Sequence, residues 1–445
     1  MIRASALTQS PLAPVTLESV TSGPVKQVAL EIGMLLLVGF VALLAVYQVK
    51  PPDVAPASAP ASEFASGRAM AHVKAVSTQP HPMGTIAGSQ TRDYILQQLN
   101  ALGVQPEVQE ATVIARDVSA PFRAGNVHNI VAQLKGSESG KALMLVAHYD
   151  SVPTSLGASD DGAGVAALLE TLRALKTGAP LKNDLIFLFT DGEEVGLLGA
   201  QAFVNESPLA KNVGMVLNFE ARGNSGPAFM FETSQQNGWL IKELAQAAPH
   251  PQASSLMSEL YRIFSNDTDL TVFKKAGMSG LNFAYINGSH HYHALLDNSE
   301  QMDERSLQHQ GDYALSLSRH FGNVSLQNTK AGNDVYFDFL GLSLVAYPVQ
   351  WVLFLAVALL LLFVAVIILG FRNGALKVGG LGLGLLAFIL SIVASVLVSG
   401  VVWLIISSLQ KGYRRIPQGD LYNSGTYRAA FICLTIAITS SSYIL

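Results

Sequence analysis

The chain has 445 residues, of which 50% are hydrophobic and only 13% charged, against ~25% charged in ordinary soluble domains. A formal net charge of -4, with no basic run, gives no case for a nucleic-acid partner. The single cysteine, Cys433, sits in an apolar run, which excludes an internal disulfide and a Cys-based zinc site; any metal must be held by His, Asp and Glu.

In chain order, residues 1–27 form an N-terminal tail whose Arg3, Glu18 and Lys26 give a weak bias toward a cytoplasmic start. Residues 28–49 are nearly all apolar, with Glu31 the one charge, and are expected to form a transmembrane anchor. A cleaved signal peptide fits less well, because the apolar part exceeds the roughly 7–15 residues of a signal-peptide core. Residues 50–67, rich in Pro, Ala and Ser, read as an extended linker.

Residues 68–328 then carry the pattern of a soluble α/β domain. Residues 89–102 predict an amphipathic helix stopped at Gly103. Short apolar runs at 142–147, 184–190, 213–219 and 280–285 suit buried parallel strands. Val165, Leu168, Leu169 and Leu172 place a helical stripe between the first two. The expected fold class is α/β, with a mostly parallel central sheet flanked by helices and membrane helices at both ends. A linker at 329–343 leads to a membrane region at 344–445 with about three helices: 344–369, 378–409 and a shorter one at 429–445. Loop charges at Arg372, Lys377, Lys411, Arg414, Arg415 and Arg428 do not fix its orientation. Charge is almost absent from these spans, so anchoring is the better reading than coupled transport.

Chemistry is concentrated where each expected strand ends. The run at 142–147 enters His148-Tyr149-Asp150, and a glycine loop with Asp160-Asp161-Gly162 opens the next helix. The run at 184–190 enters Asp191-Gly192-Glu193-Glu194, and that at 213–219 enters Glu220. Beyond 280–285 come His290, His291, Tyr292, His293 and Asp297. Open α/β sheets bind ligands beyond the carboxyl ends of their strands, so four strand ends deliver carboxylates and imidazoles to one crevice. Two zinc ions ~3.5–4 Å apart need a carboxylate that can bridge them and further His or carboxylate ligands. A hydrolase also needs a base that is not itself a ligand, and adjacent Glu193 and Glu194 suit that division. Taken singly, a His-x-Asp pair, an Asp-Asp-Gly turn or a Glu-Glu loop is ordinary surface structure. Spacing does not choose among His290, His291 and His293.

These residues resemble the M28 family of zinc peptidases. The matching pieces are His148-x-Asp150, Gly157-Ala158-x-Asp160-Asp161-x-Ala163-Gly164, Glu193-Glu194-x-Gly196, Asn218-Phe219-Glu220-Ala221 and Tyr292-His293-x-x-x-Asp297. His81-Pro82-Met83-Gly84 and Arg92-Asp93-Tyr94-Ile95 resemble the family's opening segment. Asn218 to Gly223, Phe231-Glu232-Thr233, Trp239-Leu240 and Asp267-Thr268-Asp269 with Phe273 are similar to its membrane-bound endoplasmic-reticulum and vacuolar branch.

The resemblance implies a zinc-peptidase/phosphorylase-like fold and two Zn2+ per chain. Asp160 would bridge the ions, His148 and Glu220 would complete one site, and Glu194 and His293 the other. Glu193 would be the general base, and Asp150 would orient His148. Asp267, Asp269 and Tyr292 are candidates for the substrate pocket. The implied function is a membrane-anchored metallopeptidase, with an aminopeptidase expected and its domain outside the cytoplasm. Its partners would be peptide substrates and membrane lipid. A carboxypeptidase, or a non-catalytic receptor or assembly subunit on the same fold, stays open, because no residue identified here fixes which peptide terminus is held.

Overall fold

The computed structural model describes residues 24–115, 123–263, 266–415, 421 and 423–444. Most of the tail expected at 1–27, with Arg3 and Glu18, lies outside the described residues. Two units are distinguished, 1–48 and 49–445. Within the first, α1 (Pro24–Gln48) is one continuous helix whose apolar stretch, Ile32–Ala45, is shorter than those of the helices at the other end of the chain.

In the second unit the Pro/Ala/Ser segment is no free tether. Phe64 and Ala65 are buried, and Arg68 donates to the carbonyls of Ala57 and Ala59 at 2.9 and 2.8 Å. Phe64 packs so closely on Gly311 that a Cβ there would meet the ring at 2.0 Å. Next come α2 (Ser66–Val76) and α3 (Ile86–Ala101), the latter capped by the Thr85 hydroxyl, which accepts from Gly88 N at 3.0 Å. Gly103, at φ +67°, stops that helix where the sequence places the stop.

The domain is built on β1 (Glu107–Ala115), β2 (Arg123–Leu134), β3 (Ala142–His148), β4 (Leu185–Thr190), β5 (Val213–Ala221), β6 (Phe229–Thr233) and β7 (Ser279–Tyr285). They form one seven-stranded sheet in the order β1-β2-β4-β3-β5-β7-β6. The four central strands β4, β3, β5 and β7 run parallel. The pairs β1–β2, β2–β4 and β6–β7 are antiparallel, so the sheet is mixed with a parallel centre. Every residue of β3, β4 and β7 is buried, which is why these strands read as largely apolar runs.

The faces are covered by α4 (Gly162–Leu175), α5 (Leu198–Glu206), α6 (Gly238–Ala247), α7 (Ser255–Ile263), α8 (Asp269–Lys275) and α9 (Glu304–Phe321). On one face α2, α4 and α9 enclose Leu145, Leu168, Phe187 and Phe219, and on the other α5 and α8 pack Phe203 and Phe273 against Val146 and Leu188. Where a linker is expected at 329–343, the chain instead forms much of a hairpin, β8 (Asp334–Phe339) and β9 (Ser343–Pro348). The segment expected to be a membrane region holds α10 (Trp351–Arg372), α11 (Val378–Leu409) and α12 (Ser424–Ile444). Among the described residues α10 and α11 are long and apolar enough to cross a membrane.

Candidate metal centre

His148 is the last residue of β3, Glu220 lies near the end of β5, and Glu193 and Glu194 follow β4. Parallel strands expose their ends at one edge, so register alone brings them together: His148 pairs with Thr190, and Val146 with Asn218. Asp160 arrives on the loop into α4, and His293 on the loop after β7.

Asp160 faces two groups at once. Its Oδ1 lies 3.2 Å from His148 Nε2, which is also 3.6 Å from Glu220 Oε2. Its Oδ2 lies 3.2 Å from His293 Nε2, which is 3.1 Å from Glu194 Oε2. Within each trio, His148–Asp160–Glu220 and Asp160–Glu194–His293, ligand-type atoms lie within 4.8 Å of one another. Asp160 Oδ2, Glu194 Oε1 and His293 Nε2 are buried and make no well-aligned hydrogen bond. Buried polar atoms left this way cost free energy unless something else satisfies them. A divalent cation does so, and this donor set of imidazole and carboxylate fits zinc.

Electrostatics agree with that fit. Burial, the largest influence, opposes charge on His148, yet hydrogen bonds with Asp150, Asp160 and Glu220 outweigh it and raise its pKa well above the usual value. The surroundings of His148 thus favour positive charge, and binding a metal through its neutral ring would release a proton. Burial likewise opposes charge on Asp160, but His148 and His293 bring it down to about 2. Glu194 is pushed up to about 7 by burial and by Asp160. Glu193, half-buried, is raised well above the usual carboxylate range by burial and by the charges of Glu220, Glu194 and Asp269.

The supports of these side chains are built in. His148 Nδ1 donates to the Asp150 carbonyl at 2.9 Å, leaving Nε2 aimed at the site. The Asp150 carboxylate lies 3.5 Å from Nδ1 and accepts from Glu193 N at 3.1 Å and Glu194 N at 3.3 Å. Asp150 thus fixes the Glu193-Glu194 turn as well as the imidazole. Asp161 accepts from His148 N and caps α4 through Gly164 N, both at 3.1 Å. Gly157, at φ +67°, passes so close to His81 that a Cβ would meet its ring at 3.1 Å.

Three residues matter more than their sequence positions suggest. Asp297, 137 residues from Asp160, accepts from Ser159 N at 2.7 Å and Asp160 N at 3.2 Å, and so holds the loop carrying the shared carboxylate. Asn218 donates to Glu220 Oε1 at 3.1 Å; its place two residues earlier on the same strand face is the signal that reveals it. Asp191 accepts from His128 N at 3.0 Å beside the same edge.

The expected pocket residues separate. Tyr292 stacks on His293 with ring centroids 3.7 Å apart. Asp267 is exposed, whereas Asp269 is buried at the head of α8 and bonded to the Thr190 hydroxyl. His291 is buried, with Nδ1 3.1 Å from the Gly288 carbonyl. His293 adopts φ +57°, an uncommon conformation for a non-glycine residue, and Thr154 Oγ1 ties down its carbonyl at 2.9 Å. A cleft of about 350 Å³ opens beside Glu194, lined by Met83, Arg123, Ala124 and Val195.

Residues 129–318 match the family model described as Peptidase family M28. Endoplasmic reticulum metallopeptidase 1 of Homo sapiens is 32% identical over 280 residues, 58% of this chain and 31% of that protein. The vacuolar membrane protease of Yarrowia lipolytica is 31% identical over 348 residues, 73% of this chain and 34% of that protein. The chain thus spans about a third of the length of these curated relatives. Among solved structures, an aminopeptidase from Aneurinibacillus sp. strain AM-1 aligns over 58% of this chain and 95% of its own, at 13% identity and a TM-score of 0.48. The chain carries a domain of peptidase family M28, and its relatives are those of the endoplasmic-reticulum and vacuolar membrane branch.

Proposed function

We propose that the chain is a membrane-anchored metallopeptidase that binds two zinc ions and trims peptides from the amino terminus, with its peptidase domain outside the cytoplasm. The observation that carries this reading is Asp160, which turns one carboxylate oxygen to His148 and Glu220 and the other to Glu194 and His293. The relatives' names, a metallopeptidase and a membrane protease, support the activity class and the membrane setting.

His148, Asp160 and Glu220 would hold one ion, and Asp160, Glu194 and His293 the other. Bound there, the ions supply Lewis-acid polarisation of the scissile carbonyl and make water acidic enough to lose a proton near neutral pH. Glu193 is the general base: it accepts that proton and hands it to the departing amine. Its raised pKa makes it a stronger base than an exposed carboxylate. Asp150 keeps Glu193 in place through its backbone N–H, and Asp297 keeps Asp160 in place. Burial also raises the pKa of the Tyr292 phenol, so it remains a hydrogen-bond donor beside His293.

One observation favours a second reading. Arg222 lies two residues past Glu220 with its guanidinium 5.3 Å from the Tyr292 ring centroid, and no carboxylate among the described residues forms an ion pair with it. A cation so placed can hold a peptide's carboxyl terminus, as a carboxypeptidase requires. Hydrolysis of a peptide with both ends free, beside N-acetylated and C-amidated forms, separates the two. The aminopeptidase reading predicts that acetylation abolishes cleavage while amidation is tolerated; the reverse pattern replaces it with the carboxypeptidase.

A further inference from the structure

The hairpin between the peptidase domain and α10 presents an apolar face that is exposed among the described residues. Side chains alternate across a strand, so Phe337 and Phe339 of β8 share a face, with Val345 of β9 directly opposite Phe337. Phe337 is 41% exposed, Phe339 56% and Val345 39%, and Leu342 beside the turn reaches 65%. The opposite face is the one that packs: Tyr336 is buried, and Leu344 lies against the main core.

The hairpin is also fixed. Asp338 N donates to the Ala253 carbonyl at 2.9 Å, and Tyr336 N to Ser255 Oγ at 2.9 Å. The Tyr336 and Ser258 hydroxyls are 2.7 Å apart. At its base, Val349 N donates to the Asn333 carbonyl at 3.0 Å, and α10 starts two residues later at Trp351. No slack therefore separates the apolar face from a helix long and apolar enough to span a bilayer. Trp351, 58% exposed at the head of that helix, is the residue type that settles at the headgroup level. An apolar face of this kind is rare in contact with water, and the acyl boundary is the nearest apolar medium.

We propose that the β8–β9 hairpin lies in the membrane interface, with Phe337, Phe339, Leu342 and Val345 inserted at the boundary between headgroups and acyl chains. The hairpin then works as a rigid foot that holds the peptidase domain against the lipid surface, beyond what the spanning helices do. The proposal rests on α10 entering a bilayer and is independent of the chemistry assigned to the metal centre.

The test uses the full chain with Cys433→Ser, carrying Phe339→Cys or Val345→Cys labelled with an environment-sensitive fluorophore, in phosphatidylcholine–phosphatidylglycerol vesicles. Glu138→Cys, an exposed side chain, is the water-facing reference. The expected result is blue-shifted emission at both hairpin positions, strong quenching by a nitroxide on the lipid near the headgroup, and several-fold less quenching by iodide than at Glu138→Cys. Iodide quenching equal to the reference means a water-facing hairpin and overturns the proposal. Protection from both quenchers means that protein covers the face, whether another part of this chain or a second copy, and also overturns it. Alkaline carbonate extraction of the same vesicles reports separately on α10: a chain released by carbonate sinks the spanning reading, whereas a retained chain with a water-facing hairpin sinks this inference alone.

Discussion

His148 and Glu220 reach Asp160 from the ends of β3 and β5, whereas Glu194 and His293 reach it from loops. The first trio is buried throughout; in the second, Glu194 and His293 are only partly buried. Ligands on adjacent parallel strands are placed by register, and moving one means slipping a buried sheet. Ligands on loops are placed by a few hydrogen bonds, here those to Asp150 and Thr154. If the site holds two ions as proposed, one carboxylate joins a rigid half-site to an adjustable one. On the proposed reading, the strand-borne half holds its ion more firmly, and the loop-borne half adapts to substrate.

The largest effect is expected where the halves meet. Asp160→Asn removes the shared charge and should lower activity by at least ~10³-fold and empty both half-sites, as metal analysis and turnover would show. Next comes Glu193→Gln, which should reduce kcat by roughly 10²–10⁴-fold while leaving metal content intact. Loss of metal in that variant would make Glu193 a ligand and break the division between base and ligands.

The comparison itself is sharpened by removing one ligand from each half. Glu220→Gln should cost more thermal stability of the metal-loaded protein than His293→Gln, and each should lower the stoichiometry toward one ion. Equal effects would mean that strand and loop placement do not matter. Asp297→Asn acts through the loop carrying Asp160, and a ~10–100-fold loss of metal affinity is expected.

A prediction away from the site separates the fold's own pH response from that of the site. His309 on α9 accepts from Ala228 N at Nδ1, and its Nε2 donates to the His250 carbonyl, each at 3.1 Å. Tyr313 stacks on its ring, and His250 lies nearby as the other titratable group. Burial first, and then the His250 charge, lower its pKa from 6.5 to about 4. Between those values the unfolded chain binds a proton that the folded chain does not. The stability due to neutral His309 is therefore complete above pH 6.5 and is lost as pH falls toward 4. The difference is about 3 kcal/mol. Denaturant melts between pH 7 and 4 should flatten in His309→Gln.

The sequence revealed the four central strands because strands buried on both faces are mostly apolar runs, three of them leading directly into an acid or a histidine. It did not reveal β1, β2 and β6, which lie toward the sheet edges, where burial is partial and the apolar pattern breaks. Nor did it reveal the hairpin at 334–348, whose apolar face is exposed. The strand-borne His148 and Glu220 were legible from position alone. His293 needed the family pattern, since two other histidines stand beside it and only tertiary contacts direct one ring to Asp160. The task of Asp297 was not legible, because it acts on backbone N–H groups far away in the chain.

The central claim is that one carboxylate joins two ion sites, and native mass spectrometry of the zinc-loaded full chain tests it most directly. The account predicts two zinc ions per chain, near none in Asp160→Asn, and two retained in the inactive Glu193→Gln. A single ion in the active wild-type protein, or two that survive the loss of Asp160, would contradict it.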